Sequence, residues 1–123
     1  WRILNKEQKF MEVGNLDVST DIGYAKDYVE AAWNIMQQAK PDDFIVCTGE
    51  LHTPREFIDL AFKEAGLSEE YLIENVNLKR PSEVSILTGD FTKAKEAFGY
   101  KPKTSFVDLV KLMVNDTSIK TLS

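Results

Sequence analysis

Apolar and polar positions run along the chain in short blocks whose period changes several times. Phe10-Met11-Glu12-Val13 is a short strand pattern closed by the turn pair Gly14-Asn15. Asp21–Ala25 reads as a second extended piece. From Lys26 to Ala39 the period becomes helical. Val29, Ala32, Trp33, Met36 and Ala39 recur at spacings of three and four, which predicts a helix with that stripe in the core. Pro41 and Asp42-Asp43 break it. Phe44-Ile45-Val46-Cys47 has no polar alternation, the pattern of a buried strand, and Thr48-Gly49 ends it.

The next block carries the strongest local signal in the chain. Thr53-Pro54-Arg55-Glu56 supplies an N-cap hydroxyl, a proline suited to the first helical position and the glutamate of a capping box. Phe57, Leu60, Ala61 and Ala65 form the expected buried stripe, and Gly66 stops the helix. Glu69–Tyr71 reads as a helical turn and Leu72–Val76 as a short strand. Arg80-Pro81-Ser82-Glu83 is an extended or turn segment, because a residue before proline avoids the helical region. Val84–Leu87 is another short strand, and Asp90 caps a short helix, Thr92–Phe98, ended by Gly99. Thr104 or Ser105 begins the last helix, with Phe106, Leu109, Val110, Met113 and Val114 inward, and the polar tail from Asp116 frays. The whole is an α/β pattern of several helices and short strands, without the regular long strands of a self-contained doubly wound sheet.

Length and composition narrow the classes. The chain has 123 residues, 43% hydrophobic and 28% charged, which fits one soluble domain with a real core. Net charge is −5, which argues against nucleic-acid binding through a basic surface. No apolar run approaches the ~20 residues of a membrane span, and no secretory signal opens the chain, so the expected location is cytoplasmic. Cys47 is the only cysteine, so neither an internal disulfide nor a thiolate-clustered zinc site can form.

Candidate chemistry is sparse. No two of the six glycines lie within three residues of each other, so both kinds of glycine-rich phosphate loop are absent. No tyrosine is followed four positions later by lysine. His52 is the single histidine and reads as a solvated loop residue, which leaves no metal site and no catalytic residue to nominate. Cys47 reads as a buried structural thiol, and Trp33, Phe57, Phe62 and Phe106 as core. Lys63, Glu64, Glu69 and Glu70 read as solvated surface. Arg80 and Glu83 are the exception. A guanidinium and a carboxylate three residues apart, beside a proline, can serve one ligand: arginine forks onto phosphate or hydroxyl pairs, and a carboxylate accepts from ring N–H or sugar hydroxyls. A surface ion pair accounts for the same two residues.

Several stretches resemble the GDP-mannose 4,6-dehydratase family. They are Gly14-Asn15-Leu16-Asp17, Asp21 through Val29, Thr48 through Phe57 and Arg80-Pro81-Ser82-Glu83-Val84. Leu87 through Lys95, Gly99-Tyr100-Lys101-Pro102 and Thr104-Ser105-Phe106 complete the set. The Asp90–Pro102 pattern is similar to extended short-chain dehydrogenase/reductases in general; Asn15–Asp17, Ala25–Val29 and Arg80–Glu83 resemble the dehydratase branch.

The resemblance implies that residues 1–123 are a C-terminal nucleotide-sugar-binding domain, part of a larger enzyme. The Rossmann half, with its glycine fingerprint, its Tyr-x-x-x-Lys pair and its NADP, belongs to the full-length parent, and no cofactor is expected on this chain alone. The implied parent is a lyase that converts GDP-mannose to the 4-keto-6-deoxy sugar nucleotide. Expected partners are GDP-mannose or a related nucleotide sugar, the Rossmann half and a further copy in a homo-oligomer. Arg80 and Glu83 match the family's Arg-Pro-x-Glu, which implies that Arg80 meets diphosphate or ribose and Glu83 meets ribose or guanine.

Three positions depart from the pattern. Thr20 stands where the family has arginine, and Ile22 and Tyr24 replace the usual Trp and His. Thr20 keeps open the same domain of another sugar-nucleotide epimerase, reductase or dehydratase, and a non-catalytic stand-alone binding domain is a separate alternative.

Overall fold

The structure is a computed structural model that describes residues 1–78 and 86–116. Among the described residues, five short strands and four α-helices follow one another. Strand β1, Met11–Val13, precedes β2, Ser19–Asp21, and helix α1, Ala25–Met36. Strand β3, Leu51–His52, leads into α2, Pro54–Ala65, then β4, Leu72–Glu74, and β5, Ile86–Leu87. Helices α3, Thr92–Phe98, and α4, Phe106–Asn115, close the order. β1 and β4 form a parallel pair with Met11 opposite Leu72. β2 is the centre of a second sheet, antiparallel to β3 and parallel to β5.

Local chemistry sets the helix ends. Thr53 Oγ1 accepts from the Glu56 amide at 3.2 Å, and the Glu56 carboxylate accepts from the Thr53 amide at 3.1 Å. Gly66 ends α2 in the left-handed region at φ 69°. The Ser105 hydroxyl accepts from the Asp108 amide at 3.2 Å and caps α4. Asp90 accepts from the Thr92 amide at 2.8 Å, one residue ahead of the dihedral start of α3 at Phe91.

Two small cores result. Leu16, Ile58 and Phe62 are buried together, with Met11, Val13, Leu67 and Leu72 against them, while α2 packs on α4. On α2 the buried centre falls on Ile58 and Phe62, and the predicted Phe57, Leu60, Ala61 and Ala65 flank it half-buried. On α4, Phe106, Leu109 and Val110 are buried as expected, but Met113 is exposed. The second core joins Ala31, Ala94 and Tyr100, with Phe44, Val46, Phe91 and Phe98 around them.

Helix α1 is turned opposite to the expectation. Val29, Trp33 and Met36 are 70%, 63% and 75% exposed, Ala32 is exposed too, and Ala39 lies beyond the helix end. The inner side carries Asp27 and Ala31 instead. The Asp27 carboxylate accepts from the amides of Lys103 and Thr104 at 3.0 and 2.9 Å, and this fixes the rotation of the helix. Val29, two residues on, is about 200° round the axis and faces out.

Phe44–Cys47 is also corrected. Phe44 and Val46 face the second core, Cys47 is buried, and Ile45 is 58% exposed. The run joins no strand ladder among the described residues, so it is not the predicted strand. Side chains hold it: the Tyr100 hydroxyl donates to the Cys47 carbonyl at 2.9 Å, and Lys93 Nζ to the Asp43 carbonyl at 2.9 Å.

Candidate functional site

The three-stranded sheet organises the region where the sequence places its candidate chemistry. Thr20 sits mid-sheet, with His52 of β3 on one side and Leu87 of β5 on the other. Arg80 and Glu83 lie outside the described residues, as does the Val84-Ser85 start of the last predicted strand. Both described flanks of that segment abut the stretch from Gly14 to Thr20. The Leu78 carbonyl lies 2.6 Å from where a Gly14 Cβ would stand, so only glycine fits there. Ile86 pairs with Ser19.

Asp21, at the end of β2, is the polar hub of this region. Its carboxylate accepts from the amides of Thr48 and Gly49 at 2.9 and 2.7 Å, and from the Thr48 hydroxyl at 2.7 Å. The Tyr28 hydroxyl approaches the same oxygen as Thr48 does, at 3.4 Å. Burial and the neighbouring Asp21 charge push the Tyr28 phenol well above its ordinary range. Cys47 is buried as expected, and burial followed by the Asp21 charge raises its thiol, the opposite of activation.

His52 is not the solvated loop residue that its sequence position suggests. It lies on β3 with its ring stacked on Phe106, centroids 3.7 Å apart and planes 3° from parallel. Nδ1 is 3.1 Å from Glu56 Oε2, so the histidine braces the α2 capping box. Nε2 is buried with no hydrogen-bond partner among the described residues, and Glu50 Oε2 lies 3.6 Å away. The Thr53 amide and then His52 hold the Glu56 carboxyl below its ordinary value. Beside this brace is a cleft of about 350 Å³, lined by Thr48, Glu50, His52, Lys101 and Ser105 among others. Arg55 points elsewhere, 3.5 Å from Asp17 and 3.6 Å from Glu74.

The β2–α1 turn is closely packed around its one glycine, Gly23. The Tyr28 hydroxyl already sits 1.9 Å from where a Gly23 Cβ would stand, and the Asp21 carboxylate occupies the nearby amides of Thr48 and Gly49. Among the described residues no three His, Cys, Asp or Glu side chains converge as a metal site, and no helix is long and apolar enough to cross a membrane.

The sequence reading missed Asp21, Asp27 and the bracing role of His52. A signal was available for Asp21 alone, a carboxylate among Ser19-Thr20 and Ile22-Gly23, where an acid persists only if donors meet it.

The fold and the comparisons agree. RMD from Pseudomonas aeruginosa, complexed with NADPH, superimposes with a TM-score of 0.84 at 22% identity, over 98% of this chain and 40% of its own. UDP-glucose 4-epimerase of Thermotoga maritima, with UDP-glucose, gives 0.80 at 27% identity, over 99% of this chain and 38% of its own. The arrangement is that of one part of an extended short-chain dehydrogenase/reductase. The family model of GDP-mannose 4,6 dehydratase matches residues 1–113. GDP-mannose 4,6 dehydratase 1 of Arabidopsis thaliana is 49% identical over 105 residues, covering 85% of this chain and 29% of its own length. The Homo sapiens GDP-mannose 4,6 dehydratase is 40% identical over 121 residues, covering 84% and 32%. The chain belongs to the GDP-mannose 4,6-dehydratase family. It matches a C-terminal portion of these curated relatives, 29% and 32% of their length.

Proposed function

We propose that residues 1–123 are the nucleotide-sugar-binding domain of a GDP-mannose 4,6-dehydratase-like enzyme. The parent removes water from GDP-mannose to give the 4-keto-6-deoxy sugar nucleotide. NADP belongs to the Rossmann half of that parent, and the whole works in the cytoplasm. This chain contributes the clamp: Arg80 on diphosphate or ribose, and Glu83 on ribose or guanine. Binding the nucleotide at a distance from the reacting carbons orients the hexose.

The observation that carries this reading is the placement of the two flanks of the Arg80–Glu83 segment. Leu78 lies against Gly14 and Ile86 pairs with Ser19. The described residues on either side of that segment therefore lie beside Gly14 and Ser19, which bracket Asn15-Leu16-Asp17, a stretch that resembles the dehydratase branch. Calorimetric titration of the chain with GDP, UDP and dTDP tests it. GDP is expected to bind best, and Arg80→Ala to weaken it by about 1.5–3 kcal/mol. Unchanged affinity in that variant would return Arg80 to a surface ion pair.

Thr20 favours a second reading, in which the same clamp serves a different sugar nucleotide. An uncharged side chain holds the middle of the central strand, where a guanidinium would add a charge-assisted contact to phosphate. A preference for UDP or dTDP in the same titration selects it.

A further inference from the structure

We draw no further inference here: the strongest candidate, the cleft of about 350 Å³ beside the buried His52 Nε2, between β3 and the start of α4, opens on a chain that spans 29–40% of the length of its relatives, and nothing in the structure shows what covers it.

Discussion

Asp21 shows what a single carboxylate does in this fold. It gathers donors from residues 27 and 28 positions away, the Thr48 amide and hydroxyl and the Gly49 amide, and so fastens β2 to the end of the Phe44–Cys47 run, which has no ladder among the described residues. Gly49 meets it at φ 78°, a conformation only glycine adopts without strain. Asp21→Ala is expected to lower unfolding free energy by about 3 kcal/mol, because two amides and a hydroxyl lose a charged acceptor at once. Urea unfolding of the two proteins measures it. Tyr100 acts on the same run from the other side, donating to the Cys47 carbonyl at 2.9 Å. Burial pushes its phenol from 10.0 up to about 12. The folded state therefore holds the proton more tightly than the unfolded state. Stability from this group is complete below pH 10.0 and is lost as pH rises through about 12. Unfolding midpoints in urea should fall across that window, and Tyr100→Phe should fall less. The remaining slope belongs in part to Tyr28, which is shifted in the same direction.

At the scale of elements, the helix ends are the most secure features because their causes lie within four residues. Thr53, Pro54, Glu56 and Gly66 define α2 wherever the chain goes next. Thr53→Ala is expected to cost about 1 kcal/mol, seen as a lower denaturant midpoint with unchanged slope. His52 is part of the same end, since its ring reaches Glu56 while stacked on Phe106 of α4. That contact was illegible in the sequence: His52 and Phe106 are far apart along the chain, and only the packing of α2 on α4 brings them together. The same limit explains α1. Periodicity reports that Val29, Trp33 and Met36 form one face, which they do, but not whether this molecule supplies the cover. Asp27, which decided the rotation, is a charged residue on the opposite side and carries no weight in an apolar pattern. Phe44–Cys47 failed likewise, because an apolar run becomes a strand only beside a partner strand. The candidate clamp was legible as residue types and spacing, while its relation to β2 needed the pairing of Ile86 with Ser19.

At the scale of the molecule, two small cores serve two different ends. The first, around Leu16, Ile58 and Phe62, locks α2, β1 and β4 into a base under the Gly14–Thr20 stretch. The second, around Ala31, Ala94 and Tyr100, holds α1 and α3 against the unpaired run. The three-stranded sheet pairs its central strand, β2, with β5, the first described element after the candidate clamp segment. Burial raises the one thiol, Cys47, and the Tyr28 hydroxyl packs against Gly23 in the β2–α1 turn. If the chain is the substrate-binding part proposed above, binding and turnover should separate in it. With GDP-mannose and NADP supplied together, the purified 123 residues are expected to yield no 4-keto-6-deoxy product by mass spectrometry, while GDP still titrates in calorimetry. Product formation by the chain alone would place acid–base groups within it and sink the division of labour proposed above. A null result in both assays would instead point to a nucleotide cleft that needs its other wall before it holds anything, since orientation across a cleft contributes only when both sides are present.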